Sequence, residues 1–124
     1  MTISNALMDL NHSIPNIIGG ALIRIEDGSI IAHVIQQKFD NDLVGCLTAS
    51  MLGIGERISA ELMYSEIDRL YVESPNGYVL VCPVGKENAL IVLTNKKAKL
   101  GLIFFEINRT KKVIEQLLEL NQAD

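Results

Sequence analysis

The sequence predicts an α/β sandwich, in which a central, mainly antiparallel five-stranded sheet has one long helix on one face and two helices on the other. Segments with helical spacing of apolar residues and β-branched runs follow each other in the order α-β-β-α-β-β-β-α. The runs over residues 79–84 and 90–93 are apolar at almost every position, which is typical of strands covered on both faces. With 124 residues and no linker or internal repeat, the chain is expected to form one domain over residues 1–124.

The first third of the chain predicts a short helix followed by a β-hairpin. Apolar residues at helical spacing predict a helix over residues 3–13. Two β-branched runs then flank the pair Asp27-Gly28, which is one of the strongest turn signals. A hairpin is therefore expected over residues 19–36.

The rest of the chain predicts a long helix, three strands and a second long helix. Helical periodicity covers residues 42–64. The pair Asn76-Gly77 marks a turn, and three strands are expected, over residues 67–74, 78–84 and 89–94. The final helix is expected from about Lys96 to Leu120, with Asn95 as its N-cap.

The composition favours a protein that associates with itself. Hydrophobic residues make up 48% of the chain, and a domain of this size has too much surface to bury them all within one protomer. The formal net charge of −4 comes with no positive stripe, so we expect no nucleic-acid partner. No apolar run reaches the length of a membrane span, so no membrane partner is expected. The N-terminus lacks the features of a signal peptide, which predicts a cytoplasmic protein whose Cys46 and Cys82 are reduced and buried.

The residues that could carry chemistry do not form a recognisable site. Gly53 and Gly55 invite comparison with a phosphate-binding loop, but Ile58 stands where a dinucleotide fingerprint has its third glycine. His12 and His33 have no Cys, Asp or Glu at metal-ligand spacing. We therefore expect a protein that is not an enzyme, with no cofactor, no metal and no catalytic residue.

Arg57 is the one cation on the long helix. It could serve as an arginine finger toward a GTPase in trans. The spacing favours a simpler role, which is an ion pair with Glu61 four residues further on.

The long helix has two faces of different character. At about 100° per residue, its large apolar residues share one face, which is expected to lie on the sheet: Leu43, Leu47, Met51, Ile54, Ile58 and Leu62. The opposite face is a stripe of small residues with two large apolar ones and one charge: Gly45, Ala49, Leu52, Gly53, Glu56, Ala60 and Met63. Small residues allow a second helix to approach closely, so this small-residue stripe is predicted to be the surface for self-association. The alternative is a monomer in which another helix of the same chain covers the stripe.

Two segments of the chain resemble a known family. The stretch "SIPNIIGGALIRIEDGSIIAHV" is similar to the opening of the Roadblock/dynein-light-chain family, in which an "IPGV.GA" start leads into a strand, an Asp-Gly turn and a second strand. The stretch "PNGYVLVCPVGKENALIVLTNKKAKLGLIFFEI" resembles the later half of that family, with its "GYVL" strand and its "AKLGL" approach to the last helix. The likeness covers about residues 3–118.

The resemblance implies a dimer, either of two copies or with a paralogous Roadblock protein. In the family, the second helices of two protomers lie side by side and the third strands pair, which correspond here to residues 42–64 and 67–74. The expected interface therefore adds four strand residues to the small-residue stripe: Leu70, Tyr71, Val72 and Glu73. Such pairing also covers an edge strand that would otherwise be open.

The resemblance also implies a function. Members of the family generally do no chemistry of their own and act as platforms for small Ras-like GTPases or as dynein subunits. Some bacterial members accelerate GTP hydrolysis by repositioning residues of the GTPase itself. We therefore expect a dimer that binds and regulates a small GTPase through its paired helices. Two alternatives stay open: a structural module that assembles a larger complex, and a sensory domain that binds a small ligand in its core.

Overall fold

The computed structural model describes residues 1–35 and 39–122, and it contains three helices and five strands in the expected order. The first half of the chain forms α1 (Ile3–Ser13), β1 (Ile17–Arg24), β2 (Ile30–Ile35) and α2 (Asn41–Met63). The second half forms β3 (Leu70–Ser74), β4 (Gly77–Val84), β5 (Asn88–Asn95) and α3 (Leu100–Gln122). Residue 36, the expected end of the hairpin, lies outside the described residues.

The five strands form one open sheet in the order β2-β1-β5-β4-β3. Every neighbouring pair in this sheet is antiparallel. β2 and β3 are therefore the two edge strands, and β4 and β5 lie inside, as their continuous apolar runs predicted. The predicted five-stranded antiparallel sheet is confirmed.

Two apolar layers hold the helices on the sheet. On one face, α1 and α3 pack against residues that include Leu22, Leu80 and Val92. On the other face, α2 alone covers a smaller cluster that includes Ile23 and Val81. The predicted division, with one long helix on one face and two helices on the other, is confirmed.

Local chemistry explains where the elements begin and turn. The Thr2 side chain accepts a hydrogen bond from the Asn5 backbone N–H at the start of α1, and the Asp40 carboxylate accepts hydrogen bonds in the same way at the start of α2. In the β1–β2 turn, Gly28 has a φ of +72°, a left-handed conformation that glycine adopts without strain. The two caps mark where α1 and α2 begin, and the turn marks where β1 gives way to β2.

Two predicted boundaries are wrong by three or four residues. β3 begins at Leu70 and not at residue 67, because Ile67 leaves the sheet and packs in the cluster beneath α2. α3 begins at Leu100 and not near Lys96. Asn95 does not cap this helix, because its side-chain oxygen accepts a hydrogen bond from the Lys97 backbone N–H, 3.0 Å away, and so closes a turn before the helix.

Candidate interaction surface

The face of α2 that lies on the sheet is not the one predicted. The sequence predicts the large apolar residues Leu43, Leu47 and Ile58 against the sheet, but each keeps more than half of its surface exposed. The residues that α2 buries are Gly45, Thr48, Leu52 and Gly55. The prediction that the large apolar face covers the sheet is therefore wrong.

Close approach explains why small residues face the sheet. A Cβ atom on Gly45 would stand 1.8 Å from the carbonyl oxygen of Gly28 in the β1–β2 turn. A Cβ atom on Gly55 would stand 2.9 Å from the side chains of both Ile67 and Leu70. The small residues do allow close packing, as the sequence indicated, but their partner is the chain's own hairpin turn and strand.

A polar residue can share this buried face because its hydroxyl group is satisfied. Thr48 is 1% exposed, and its Oγ1 donates to the carbonyl oxygen of Val44, 2.6 Å away, within the same helix. One large residue, Leu52, then fills the space between the small ones and reaches the apolar cluster. Large side chains at several of these positions would hold the helix further from the sheet.

The structure divides the predicted small-residue stripe between two environments. Gly45 and Leu52 are buried against the sheet, and Ala49 is half-buried. The other members remain on the surface of the protomer: Gly53, Glu56, Ala60 and Met63. Leu52, which the sequence placed on the outer face, is thus a core residue.

Large apolar side chains follow the outside of α2 along its whole length. Five of them are between 53% and 70% exposed, and Met51 beside them is half-buried. We call these five residues the apolar row: Leu43, Leu47, Ile54, Ile58 and Leu62. Monomeric soluble proteins seldom expose so many large apolar residues together, so the apolar row is a candidate for contact with another chain.

The two edges of the sheet differ in regularity. In the pairing of β2 with β1, the register shifts so that Ile31 has no partner, which is a β-bulge. β3 pairs with β4 without a shift, from Leu70 opposite Val81 to Ser74 opposite Gly77. Bulges disturb further strand pairing, whereas a regular free edge presents unpaired backbone groups. β3 is therefore the edge that is better shaped to pair with another strand.

β3 carries exposed side chains on both of its faces. Val72 is 51% exposed and shares the α2 face of the sheet with Leu70, two residues before it. On the α3 face, the rings of Tyr71 and Phe104 lie 6.1 Å apart, and Glu73 forms an ion pair with Lys96. The strand residues named from the sequence, Leu70 to Glu73, are thus together at the open edge.

The charged residues of α2 stay on its surface. Arg57 lies 3.2 Å from Glu61, so the predicted ion pair four residues apart is confirmed. Both side chains are exposed, and such a pair contributes little to stability. The Arg57 guanidinium group therefore pairs with Glu61 on the open surface of the helix and does not lie in a cleft.

The cysteines differ from the sequence prediction in one respect. Cys82 is buried, as expected, but Cys46 on α2 is exposed, so its predicted burial is wrong. Burial raises the pKa of Cys82 to about 11 and keeps that thiol protonated at neutral pH. Both thiols are free.

The remaining chemistry of the described residues is sparse. Across residues 1–35 and 39–122, no three His, Cys, Asp or Glu side chains come together as a metal site would need. His12 and His33, singled out by type, are both exposed. None of the helices in this part of the chain is both apolar enough and long enough to cross a membrane.

A groove of about 1020 Å³ lies where α2 ends, outside the apolar row. The segment after α2 supplies Tyr64, Glu66 and Asp68 to its lining, and the β4–β5 turn and α3 supply Lys86 and Lys111. Tyr64 has a φ of +54° and ends α2 by donating its backbone N–H to the carbonyl oxygen of Ser59. The groove is lined by both acidic and basic side chains. Of the small-residue stripe, it includes only Glu56 and Ala60.

Comparison with solved structures identifies the fold. The chain superposes on the Roadblock/LC7 domain from Streptomyces avermitilis with a TM-score of 0.86 and 16% identity, over 94% of this chain and 97% of that one. Myxococcus xanthus MglB gives a TM-score of 0.86 with 19% identity, over 94% of each chain. An MglB with a tetrameric arrangement gives 0.85 with 16% identity, over 94% of this chain and 88% of that one. The resemblance drawn from the sequence is confirmed for the fold.

Comparison by sequence finds relatives of nearly the same length. Protein MJ0714 of Methanocaldococcus jannaschii is 30% identical over 115 residues, which are 93% of this chain and 95% of the relative. Protein MJ1340 of the same organism is 30% identical over 115 residues, which are 93% of this chain and 98% of that protein. No family model matches the chain. The chain has the Roadblock/LC7 fold and belongs to one family with these Methanocaldococcus jannaschii proteins.

Proposed function

We propose that this chain is a non-catalytic, dimeric platform that binds and regulates a small Ras-like GTPase through paired α2 helices. Its fold is that of MglB and of a Roadblock/LC7 domain, and the family resemblance implies this role. The observation that carries the proposal is the apolar row on the outside of α2, beside a regular open strand edge. A partner chain that covers both removes apolar surface and unpaired backbone groups from water together.

The two features lie close enough to serve one interface. Gly55, in the second half of α2, packs against Leu70, the first residue of β3. A second chain seated along the apolar row therefore also comes near the free edge of β3. Pairing there adds backbone hydrogen bonds to apolar contact, and Val72 joins the covered surface.

Paired helices leave one surface of α2 for a further partner. Ser50, Arg57 and Glu61 are exposed and lie along the margin of the apolar row that is turned away from Gly55 and β3. Two copies of this polar surface, held side by side, form a broad platform for a GTPase. The platform acts by holding residues of the GTPase in place, as the family resemblance implies.

The interface is tested by comparing two aspartate variants. Ile58→Asp places a charge in the apolar row, so we expect it to raise the dimer dissociation constant at least about tenfold, because burying an unpaired charge is costly. Light scattering after size-exclusion chromatography across a concentration series measures the shift. Phe105→Asp is the matched control, because Phe105 is 64% exposed on α3, outside the proposed interface. An Ile58→Asp variant that dimerises like Phe105→Asp would contradict the proposal.

The GTPase role needs a separate measurement. Purified small Ras-like GTPases encoded in the same genome are loaded with GDP or a non-hydrolysable GTP analogue and passed over the immobilised wild type and the Ile58→Asp variant. We expect one GTPase to be retained by the wild type in one nucleotide state, and retention to weaken with Ile58→Asp. Single-turnover GTP hydrolysis with and without the platform then measures regulation.

The main alternative is an assembly module that contacts no GTPase. The free edge of β3 and the apolar row suffice for assembly alone, and an MglB of the same fold occurs in a tetrameric arrangement. Wild-type dimers that bind none of the GTPases in either nucleotide state would favour this alternative. Thermal shift with nucleotide and metabolite panels tests the other alternative, a small ligand, for which the groove at the end of α2 offers space.

A further inference from the structure

We propose that an aromatic patch on the α3 face of β3 binds an extended acidic segment of a partner protein, and that Arg69 holds a carboxylate of that segment. The aromatic patch consists of the rings of Tyr71, Tyr78 and Phe104. It lies on the face of the sheet opposite α2. The inference therefore goes beyond the proposed function and does not depend on it.

The three rings of the aromatic patch form one continuous surface. The Tyr71 ring lies 6.3 Å from the Tyr78 ring and 6.1 Å from the Phe104 ring, measured between ring centres. Tyr71 is 46% exposed, and Tyr78 and Phe104 are half-buried. Ring pairs at this spacing pack favourably. Their open sides leave flat apolar surface for a side chain of another protein.

A cation stands over the ring at each end of the aromatic patch. The guanidinium carbon of Arg69 lies 4.2 Å from the centre of the Phe104 ring, and the Lys96 Nζ lies 4.8 Å from the centre of the Tyr78 ring. Lys96 is paired with Glu73, whereas Arg69 forms no ion pair with a described side chain. The guanidinium group of Arg69 therefore keeps N–H donors for a carboxylate from another chain.

A second cation lies near Arg69. Burial raises the pKa of Cys82 to about 11, and the positive charges of Lys111 and Arg69 both act to lower it. The two cations therefore stand near one thiol, on the same face of the sheet. The carboxylate of Glu115 is also close to this thiol, so these three groups together leave one positive charge in excess.

The sheet separates an acidic side of the protomer from a basic side. The acidic side contains α2, and residues 40–68 hold six carboxylates and one cation: Asp40, Asp42, Glu56, Glu61, Glu66 and Asp68, with Arg57. The basic side contains most of α3, and residues 96–115 hold six cations and two carboxylates: Lys96, Lys97, Lys99, Arg109, Lys111 and Lys112, with Glu106 and Glu115. The aromatic patch belongs to the basic side, which attracts an acidic partner.

The shape of the aromatic patch favours an extended segment. β3 has five residues, which corresponds to a length of about 16 Å. An extended segment of about five residues spans this length, with an aromatic side chain or a proline on the rings and a carboxylate beside Arg69. Such a segment lies on the face of β3 and leaves the backbone edge of the strand free. It is therefore not expected to displace a chain that pairs with β3.

Selection from random peptides tests the chemistry of the occupant. A phage-displayed library of random peptides long enough to span β3 is selected on the immobilised full chain. We expect the enriched peptides to carry Asp or Glu within a few positions of a Phe, Tyr, Trp or Pro. Enrichment of basic peptides, of purely apolar peptides or of none would overturn the inference.

The site is tested with one enriched peptide, which is labelled and measured by fluorescence anisotropy. Arg69→Glu is expected to raise the dissociation constant at least about tenfold, because it replaces a charge-assisted hydrogen bond with repulsion. Tyr71→Ala is expected to raise it about fivefold through the loss of ring contact. Arg24→Glu is the matched control, because Arg24 is an exposed arginine at the end of β1, and binding should stay as in the wild type. Equal weakening by Arg69→Glu and Arg24→Glu would overturn the site.

Folding and dimerisation are measured in parallel. Thermal melts verify that each variant is folded, and Arg69→Gln takes the place of Arg69→Glu where the charge reversal lowers the melting temperature. Light scattering measures the dimer independently of the peptide. A dimeric wild type that enriches no acidic peptide would overturn this inference and leave the proposed function standing. A monomeric wild type that binds the peptide through Arg69 would support this inference and contradict the proposed function.

Discussion

The two long helices, α2 and α3, have the same length of 23 residues but bury different kinds of surface. α3 lays large aliphatic residues on the sheet, with Ile103, Ile107 and Ile114 at most 3% exposed. α2 lays small residues on the sheet around Leu52 and keeps its large aliphatic residues outside. The two helices therefore cover opposite faces of one sheet with side chains of different size, which are large in α3 and mostly small in α2.

This difference teaches what apolar periodicity does and does not determine. A regular apolar face indicates that a helix face is removed from water, and for α3 the sheet removes it. For α2 the sheet is covered by a close-packed face of small residues, so the large apolar face stays exposed in the protomer. Both helices show apolar residues at helical spacing. Whether that apolar face lies on the sheet depends on what packs against it in the folded chain.

The largest loss of stability is expected for Leu52→Asp, which places a charge on the face of α2 that lies on the sheet. Leu52 is 1% exposed, so an aspartate there would bury a charge without a partner, at a cost of about 4 kcal/mol or more. We expect a chain that is largely unfolded or insoluble, as judged by circular dichroism and by its yield in the soluble fraction. Ile54→Asp on the outside of the same helix serves as the comparison, and it should keep a folded protomer. A folded Leu52→Asp protein would mean that the inner face of α2 is not as described.

A smaller effect is expected for the two glycines of α2 that stand in different environments. Gly45→Ala would place a Cβ atom 1.8 Å from the Gly28 carbonyl oxygen, so the backbone must shift, and we expect a loss of about 3 kcal/mol in the free energy of unfolding. Gly53 has nothing within 4 Å of its added Cβ, so Gly53→Ala should raise stability by up to about 1 kcal/mol through helix propensity. Urea unfolding at one fixed protein concentration measures both changes. Equal effects of the two substitutions would show that α2 does not pack closely on the hairpin turn.

Most of the fold could be predicted from the sequence, because its local signals agree with one another. The Asp27-Gly28 turn, the unbroken apolar runs of β4 and β5 and the helical spacing of α3 each have one physical solution. The starts of β3 and α3 differ from the prediction because Ile67 and Ala98 are packed against the core outside any regular element. Burial of such residues depends on neighbours far along the chain.

The candidate site was harder to derive than the fold. The strand residues Leu70 to Glu73 came from the family resemblance and do lie at the open edge. Among the helix residues, Gly45 and Leu52 were expected on the outside and are buried, whereas four others are exposed as expected and stay a prediction for the interface: Gly53, Glu56, Ala60 and Met63. A signal was present, because Gly45, Thr48, Leu52 and Gly55 follow each other at intervals of three, four and three residues, a helical stripe of its own. The contacts of Gly45 with Gly28 and of Gly55 with Leu70 show that these four residues face the sheet.

The smallest effect is expected for the ion pair on the outside of α2. Arg57→Ala removes an exposed pair with Glu61, and we expect it to lower the free energy of unfolding by no more than about 0.5 kcal/mol. Repeating the urea unfolding at about 1 M salt should reduce even this difference, because salt screens exposed charges. If Arg57→Ala nevertheless weakens capture of a GTPase, the residue contributes to the platform surface and not to stability.

The bulge at Ile31 has a consequence for how far association can proceed. In the proposed dimer, two copies that join through β3 would form a combined sheet of ten strands that ends on both sides in a β2 edge with this bulge. The one edge suited to growth has then been consumed, and the two that remain are poor templates for a further strand. In that dimer, growth of the sheet would stop at two chains, because each chain offers one regular free edge. Larger assemblies would then form through helix surfaces and not by the addition of strands.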